Sequence, residues 1–77
     1  MDEFILAIVK PIVDHPEDVR VEREEGDAEI TYRLFVRQED IGKVIGKKGR
    51  VAKAIRTVVY AAAGVHEHKK IHLQIAD

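Results

Sequence analysis

The residues with the most chemistry to offer lie between Ile41 and Arg56, a stretch with six Lys or Arg, no acid and three of the chain's five glycines. Gly46 and Gly49 bracket the pair Lys47–Lys48, with Lys43 before them and Arg50 and Lys53 after. Glycine leaves the backbone open to close approach, and lysine and arginine neutralise phosphate. A helix starting just after such a loop adds the positive end of its dipole. The chemistry implied is non-covalent: a clamp on a phosphodiester strand, with Arg50 and Lys53, three apart on the helix, following the strand as it leaves. A tight turn between helices would explain the two glycines, but not five cations around them.

Other chemistry finds little to work with. The chain has no Ser and no Cys, only Thr31 and Thr57, and no acid–base pair at a recognisable spacing, so no catalysis is expected. Gly42 to Lys47 has three residues between its glycines where a phosphate-binding P-loop needs four, and Lys48 stands where Ser or Thr is required. His66, His68 and His72 supply no closed ligand set and read as solvated histidines. Asp14, Glu17 and Asp18 read as solvated surface. Neither a metal nor a cofactor is expected.

Net charge is −1, but the charges are segregated. Residues 1–40 carry 12 acidic and 5 basic groups, net −7, and residues 41–77 carry 8 basic and 2 acidic, net +6. This asymmetry points to one anion-seeking face and one solvating face. Met1-Asp2-Glu3 is acidic where a signal peptide is basic. The apolar run Phe4 to Val9 is far short of the ~20 residues that span a bilayer. The expectation is a soluble, cytoplasmic protein with no membrane contact.

The elements that position the loop follow from hydrophobic period. Residues 2–14 read as a helix with Ile5, Ile8, Val9 and Ile12 on one face; Pro11 implies a kink, or an early end with a loose last turn. Val19 to Glu24 alternates as a short, charged edge strand. A turn at Glu25-Gly26-Asp27 leads to a second strand, Ala28 to Val36, with Ile30, Tyr32, Leu34 and Val36 on one face. Gln38 to Ile45 forms a short helix, and a longer one runs from Arg50 to about Ala63 with Gly64 as its cap. Val51, Ile55, Val58 and Ala62 form that helix's core stripe. A basic loop leads to a last strand through Ile71, Leu73 and Ile75. The order α-β-β-α-α-β requires the strands flanking the helical pair to run parallel. The fold class is α+β: one domain over residues 1–77, a three-stranded mixed sheet with helices packed on one face.

Val44-Ile45-Gly46-Lys47-Lys48-Gly49 resembles the VIGxxG signature of the KH domain, whose GxxG loop clamps nucleic-acid backbone. Over nearly its whole length the chain is similar to the small bacterial KH proteins of the KhpA (YlqC-type) family, and its element order to the type II, or prokaryotic, KH fold. The resemblance implies binding of single-stranded RNA, with single-stranded DNA as the alternative. It implies a role as RNA chaperone or post-transcriptional regulator, linked in some bacteria to cell elongation and division. It also implies an apolar base groove beside the loop, for which Ile41, Val44 and Val51 are candidates. With no Trp and only two Tyr and two Phe, stacking of bases on aromatic rings would not dominate.

The long helix is apolar on nearly every side. Ala52, Val59, Tyr60 and Ala63 form a second stripe, expected to face a homodimer or another protein. The resemblance adds self-association and pairing with a larger KH protein of the KhpB (Jag) type. The competing reading is a protein-interaction adaptor that works through this helix, with the loop incidental.

Overall fold

Helical and alternating periods both carry through to the structure, a computed structural model that describes residues 1–66 and 69–76. Helix α1 spans Asp2–Val9, with Asp2 and Glu3 in its first turn. It stops short of Pro11, which has no N–H to return to Ala7. Lys10 N–H still bonds the Leu6 carbonyl at 2.9 Å, and Ile12 N–H closes a turn on Val9 at 2.9 Å. Of the two outcomes expected at Pro11, the early end is the one found. Ile5 and Val9 are fully buried, whereas Ile8 and Ile12 are half-buried.

Strands β1 (Arg20–Glu25), β2 (Glu29–Phe35) and β3 (Lys70–Ala76) form one sheet in the order β1-β2-β3. β1 and β2 are an antiparallel hairpin, with Val21 opposite Leu34 and Glu25 opposite Ile30. β2 and β3 are parallel, with Tyr32 opposite Leu73. The inward set Ile30, Tyr32, Leu34 and Leu73 is buried. The other face bears polar side chains and no helix: Glu22 lies opposite Arg33, Arg33 pairs with Glu24 at 2.7 Å, and the Arg20 guanidinium lies 4.7 Å from the Phe35 ring centroid. This is a two-layer α+β arrangement with one wet sheet face.

Between β2 and β3 the chain makes a 3₁₀ turn at Gln38–Asp40, helix α2 at Ile41–Ile45, a second 3₁₀ turn at Lys47–Gly49 and helix α3 at Arg50–His66. α3 runs on through Gly64, so that residue is an interior helical glycine and not the expected cap. The cost of an interior glycine, ~1 kcal/mol, is small enough for a long helix to absorb.

The rotation of α3 about its axis differs from the sequence reading. Ala52, Ile55, Val59 and Ala63 face the core, at 4%, 3%, 0% and 0% exposure, while Val58 is 46% exposed. Three of the four residues expected at a partner interface are thus interior. The fourth, Tyr60, is partly exposed, and its hydroxyl accepts the Leu73 N–H at 3.3 Å. Arg56 Nε donates to the Leu73 carbonyl at 3.2 Å. These two side chains cover the middle of the β3 edge, which would otherwise be open to strand addition.

Candidate nucleic-acid interface

Val44 fixes α2 to the core. It is fully buried, packed in one cluster with Ile5, Val9, Leu34 and Val59, so it is an anchor and not the groove residue expected. Ile41 is half-buried, and Ile45 is 37% exposed. α2 ends at Gly46, whose N–H bonds Gly42 at 2.8 Å. Gly46 then takes φ 75° and ψ 175°, a conformation essentially confined to glycine. A β-carbon there would land on the Val51 side chain and within 2.9 Å of the Val51 nitrogen. Gly49, at φ 74°, donates to the Gly46 carbonyl at 3.2 Å and closes the turn. Between them Lys48 is left-handed, at φ 59° and ψ 24°, an uncommon and strained state for a side-chain-bearing residue.

Charge pairing sets this loop apart from most of the cationic surface, although Lys10 and Lys70 are likewise exposed with no carboxylate partner among the described residues. Arg20, Arg23, Arg33, Arg37 and Lys69 each reach a carboxylate. Among the described residues, Lys47, Lys48, Arg50 and Lys53 reach none, and all four are exposed. They occupy the loop and the first turn of α3, where the helix dipole adds to their potential. Lys43 departs from this pattern. Its ammonium, which the sequence groups with the other four, is paired with Asp14.

That pairing rests on a buried carboxylate that sequence reasoning missed. Asp40 is 1% exposed. It accepts from the backbone N–H groups of Asp14 at 3.3 Å and His15 at 2.9 Å, and lies 3.2 Å from His15 Nδ1. Burial pushes the Asp40 carboxyl up; the two backbone donors and the His15 ring outweigh it and hold the group below the ordinary aspartate value. One signal was available in the sequence: the corner after α1 has backbone donors that need an acceptor, and Asp40 opens the helix leading to the loop.

Beside the loop an apolar groove of about 360 Å³ runs between α1 and α3. Ile8, Ile12, Val51, Ala54 and Val58 line it, and Arg50 stands at its rim. Of the three candidate groove residues, Val51 lines this groove, and Ile41 and Val44 do not. Elsewhere, His72 Nε2 lies 3.0 Å from Glu29, while the side chains of His66 and His68 lie outside the described residues. Among the described residues no group of three metal-ligating side chains comes together, and no helix is long and apolar enough to cross a membrane.

This geometry has clear relatives. The family model described as KhpA/KhpB, KH domain, matches residues 2–75. The chain is 60% identical over 77 residues to the RNA-binding protein KhpA of Listeria monocytogenes, covering 100% of both. It is 56% identical to that of Bacillus subtilis, covering 100% of this chain and 94% of the relative. It is 43% identical to that of Chlamydia pneumoniae, covering 100% and 97%. Among solved structures, the fold matches Era in complex with MgGDPNP and nucleotides 1506–1542 of 16S ribosomal RNA, with TM-score 0.71 and 21% identity over 96% of this chain and 28% of Era. With the α-β-β-α-α-β order and the loop in place, the chain belongs to the KhpA/KhpB family of KH-domain proteins.

Proposed function

We propose that this chain is a KH domain that binds single-stranded RNA in the cytoplasm and catalyses no reaction. The observation that carries the reading is the clustering of four cations, Lys47, Lys48, Arg50 and Lys53, that have no carboxylate partner among the described residues, around a loop whose glycines leave its backbone open. Lys47 and Lys48 meet the phosphates, and Arg50 and Lys53 extend the track. The name RNA-binding protein carried by the relatives supports the same choice of ligand. Binding carried by the phosphate backbone, with few aromatic rings to stack bases, is sequence-tolerant, which suits an RNA chaperone or post-transcriptional regulator.

The test is a titration of labelled mixed-sequence single-stranded RNA across a salt series, alongside Lys47→Asp plus Lys48→Asp. Neutralising about three phosphates gives a log–log slope near −2 for a single strand. The double variant is expected to bind at least about tenfold more weakly with a shallower slope. Equal binding by both proteins would overturn the clamp. Repeating the titration with single-stranded DNA of the same sequence reads out the choice of strand.

A second surface is proposed for self-association. The groove between α1 and α3 leaves Val58 46% exposed amid apolar walls, and a 77-residue domain without disulfides gains from burying more. Two copies packed α3 to α3 would cover it about a twofold axis. A larger KH protein of the KhpB type would use the same face. This places the contact on Val58, Val51 and Ala54 of α3, one step round the helix from the stripe read in the sequence. Sedimentation equilibrium should give a dimer, and Val58→Asp a folded monomer. A monomeric wild type at tens of micromolar, about the weak end of specific association, would remove the homodimer.

A further inference from the structure

Lys43 stands one turn ahead of the glycine loop, yet among the described residues it is the one cation of that segment with a carboxylate partner, Asp14, 29 residues earlier in the chain. Asp14 is not a freely placed surface acid. Its own N–H and that of His15 are bound to the buried Asp40, at 3.3 and 2.9 Å. Asp40 in turn directly precedes α2, the helix that carries Lys43. The backbone under Asp14 is therefore fastened to the backbone under Lys43, and the carboxylate stays within reach of the ammonium. Both side chains are solvent-exposed, at 66% and 43%, so the pair is weak. A phosphodiester on the loop can displace it.

We propose that Asp14 is a built-in competitor of phosphate: it holds Lys43 off the RNA strand in the resting protein and lowers the affinity of the clamp. When a phosphate takes Lys43, the Asp14 carboxylate is left unpaired beside the strand, so the competition is felt in the bound state as well. Asp14 thereby sets the affinity of the site without touching RNA. This rests on the reading of the glycine loop as an RNA clamp.

The experiment is equilibrium binding of the same labelled single-stranded RNA over a salt series. Four variants are compared with wild type: Asp14→Asn, Lys43→Met, the two combined, and Glu17→Gln. Asparagine at 14 keeps the backbone N–H that Asp40 accepts, so the corner stays intact; a thermal melt checks this. Glu17 is exposed and lies outside the pair, so Glu17→Gln removes the same charge nearby. Asp14→Asn is expected to tighten binding about three- to fivefold at low salt and to steepen the log–log slope by about 0.7. Lys43→Met is expected to weaken binding more in the Asp14→Asn background than alone, and Glu17→Gln to stay within about twofold of wild type. A gain in Asp14→Asn no larger than in Glu17→Gln, or a gain that survives Lys43→Met, would overturn the proposal. Lys47→Asp plus Lys48→Asp in the same assay tells the failures apart: undiminished binding there removes the clamp, whereas lost binding there with an unresponsive Asp14→Asn removes only the competitor.

Discussion

Gly46→Ala should lower the stability of the fold by about 3 kcal/mol, well over the effect of the same change at Gly49. Gly46 combines φ 75° with ψ 175°, a region that costs a side-chain-bearing residue about 1–3 kcal/mol. The new methyl group would also strike Val51, near the start of α3, including its backbone nitrogen at 2.9 Å. A flexible side chain could swing aside, but helix backbone moves only with the helix. Gly49 has φ 74° and open space around it, so alanine there meets only the left-handed penalty, about 1 kcal/mol. Urea denaturation of both variants should show unequal shifts in midpoint at unchanged slope. For a domain of this size, whose whole stability is of order 4–12 kcal/mol, the larger loss is a substantial share of the total although both lysines remain. Equal midpoints would mean that the close packing of Gly46 on Val51 does not constrain the loop.

Asp40→Ala is expected to cost comparably, although Asp40 touches neither the loop nor the groove. It would leave the N–H groups of Asp14 and His15 without their acceptor, and a part-buried donor left unsatisfied is costly. A fall in melting temperature of about 10 °C or more is expected. The carboxyl is held below its ordinary value by those donors, which outweigh its burial. A depressed native pKa stabilises the fold at pH values above the unfolded one, about 3.9, and the stabilisation is lost as pH falls through the native value. Wild type should therefore lose melting temperature on going from pH 7 to about pH 3, and Asp40→Asn should lose less. Glu25, lowered by Lys69 and Arg23, leaves a residual dependence of the same sign. An acid sensitivity unchanged in Asp40→Asn would place its source elsewhere.

Much of the architecture was legible because the strands are short and strictly alternating. Ile30, Tyr32 and Leu34 could face only one way together, and the crossover fixed β3 parallel to β2. The loop was legible from glycine and lysine spacing alone. The rotation of α3 was not. Val51-Ile55-Val58-Ala62 and Ala52-Ile55-Val59-Ala63 both satisfy helical spacing, and adjacent residues such as Val58 and Val59 differ by only about 100° of rotation. Which stripe faces inward depends on where α1 and the sheet lie against the helix. The Asp40 network escaped for a similar reason: its donors are 25 and 26 positions away, and an aspartate before a helix ordinarily reads as a cap.

The parallel pairing of β2 with β3 also sets an order of events. Partners across the hairpin are 5 to 15 positions apart, from Glu25–Ile30 to Arg20–Phe35. Every partner across β2 and β3 is 41 apart, as in Glu29–Lys70. Closing the longer span costs more chain entropy before any contact rewards it, so the hairpin can zip early while β3 docks late. The cationic loop lies inside that late-closing span. During refolding, protection of β1 and β2 amides from hydrogen exchange should therefore precede the recovery of RNA affinity, and a chain caught between the two steps would carry the loop's positive charge without the frame that shapes it.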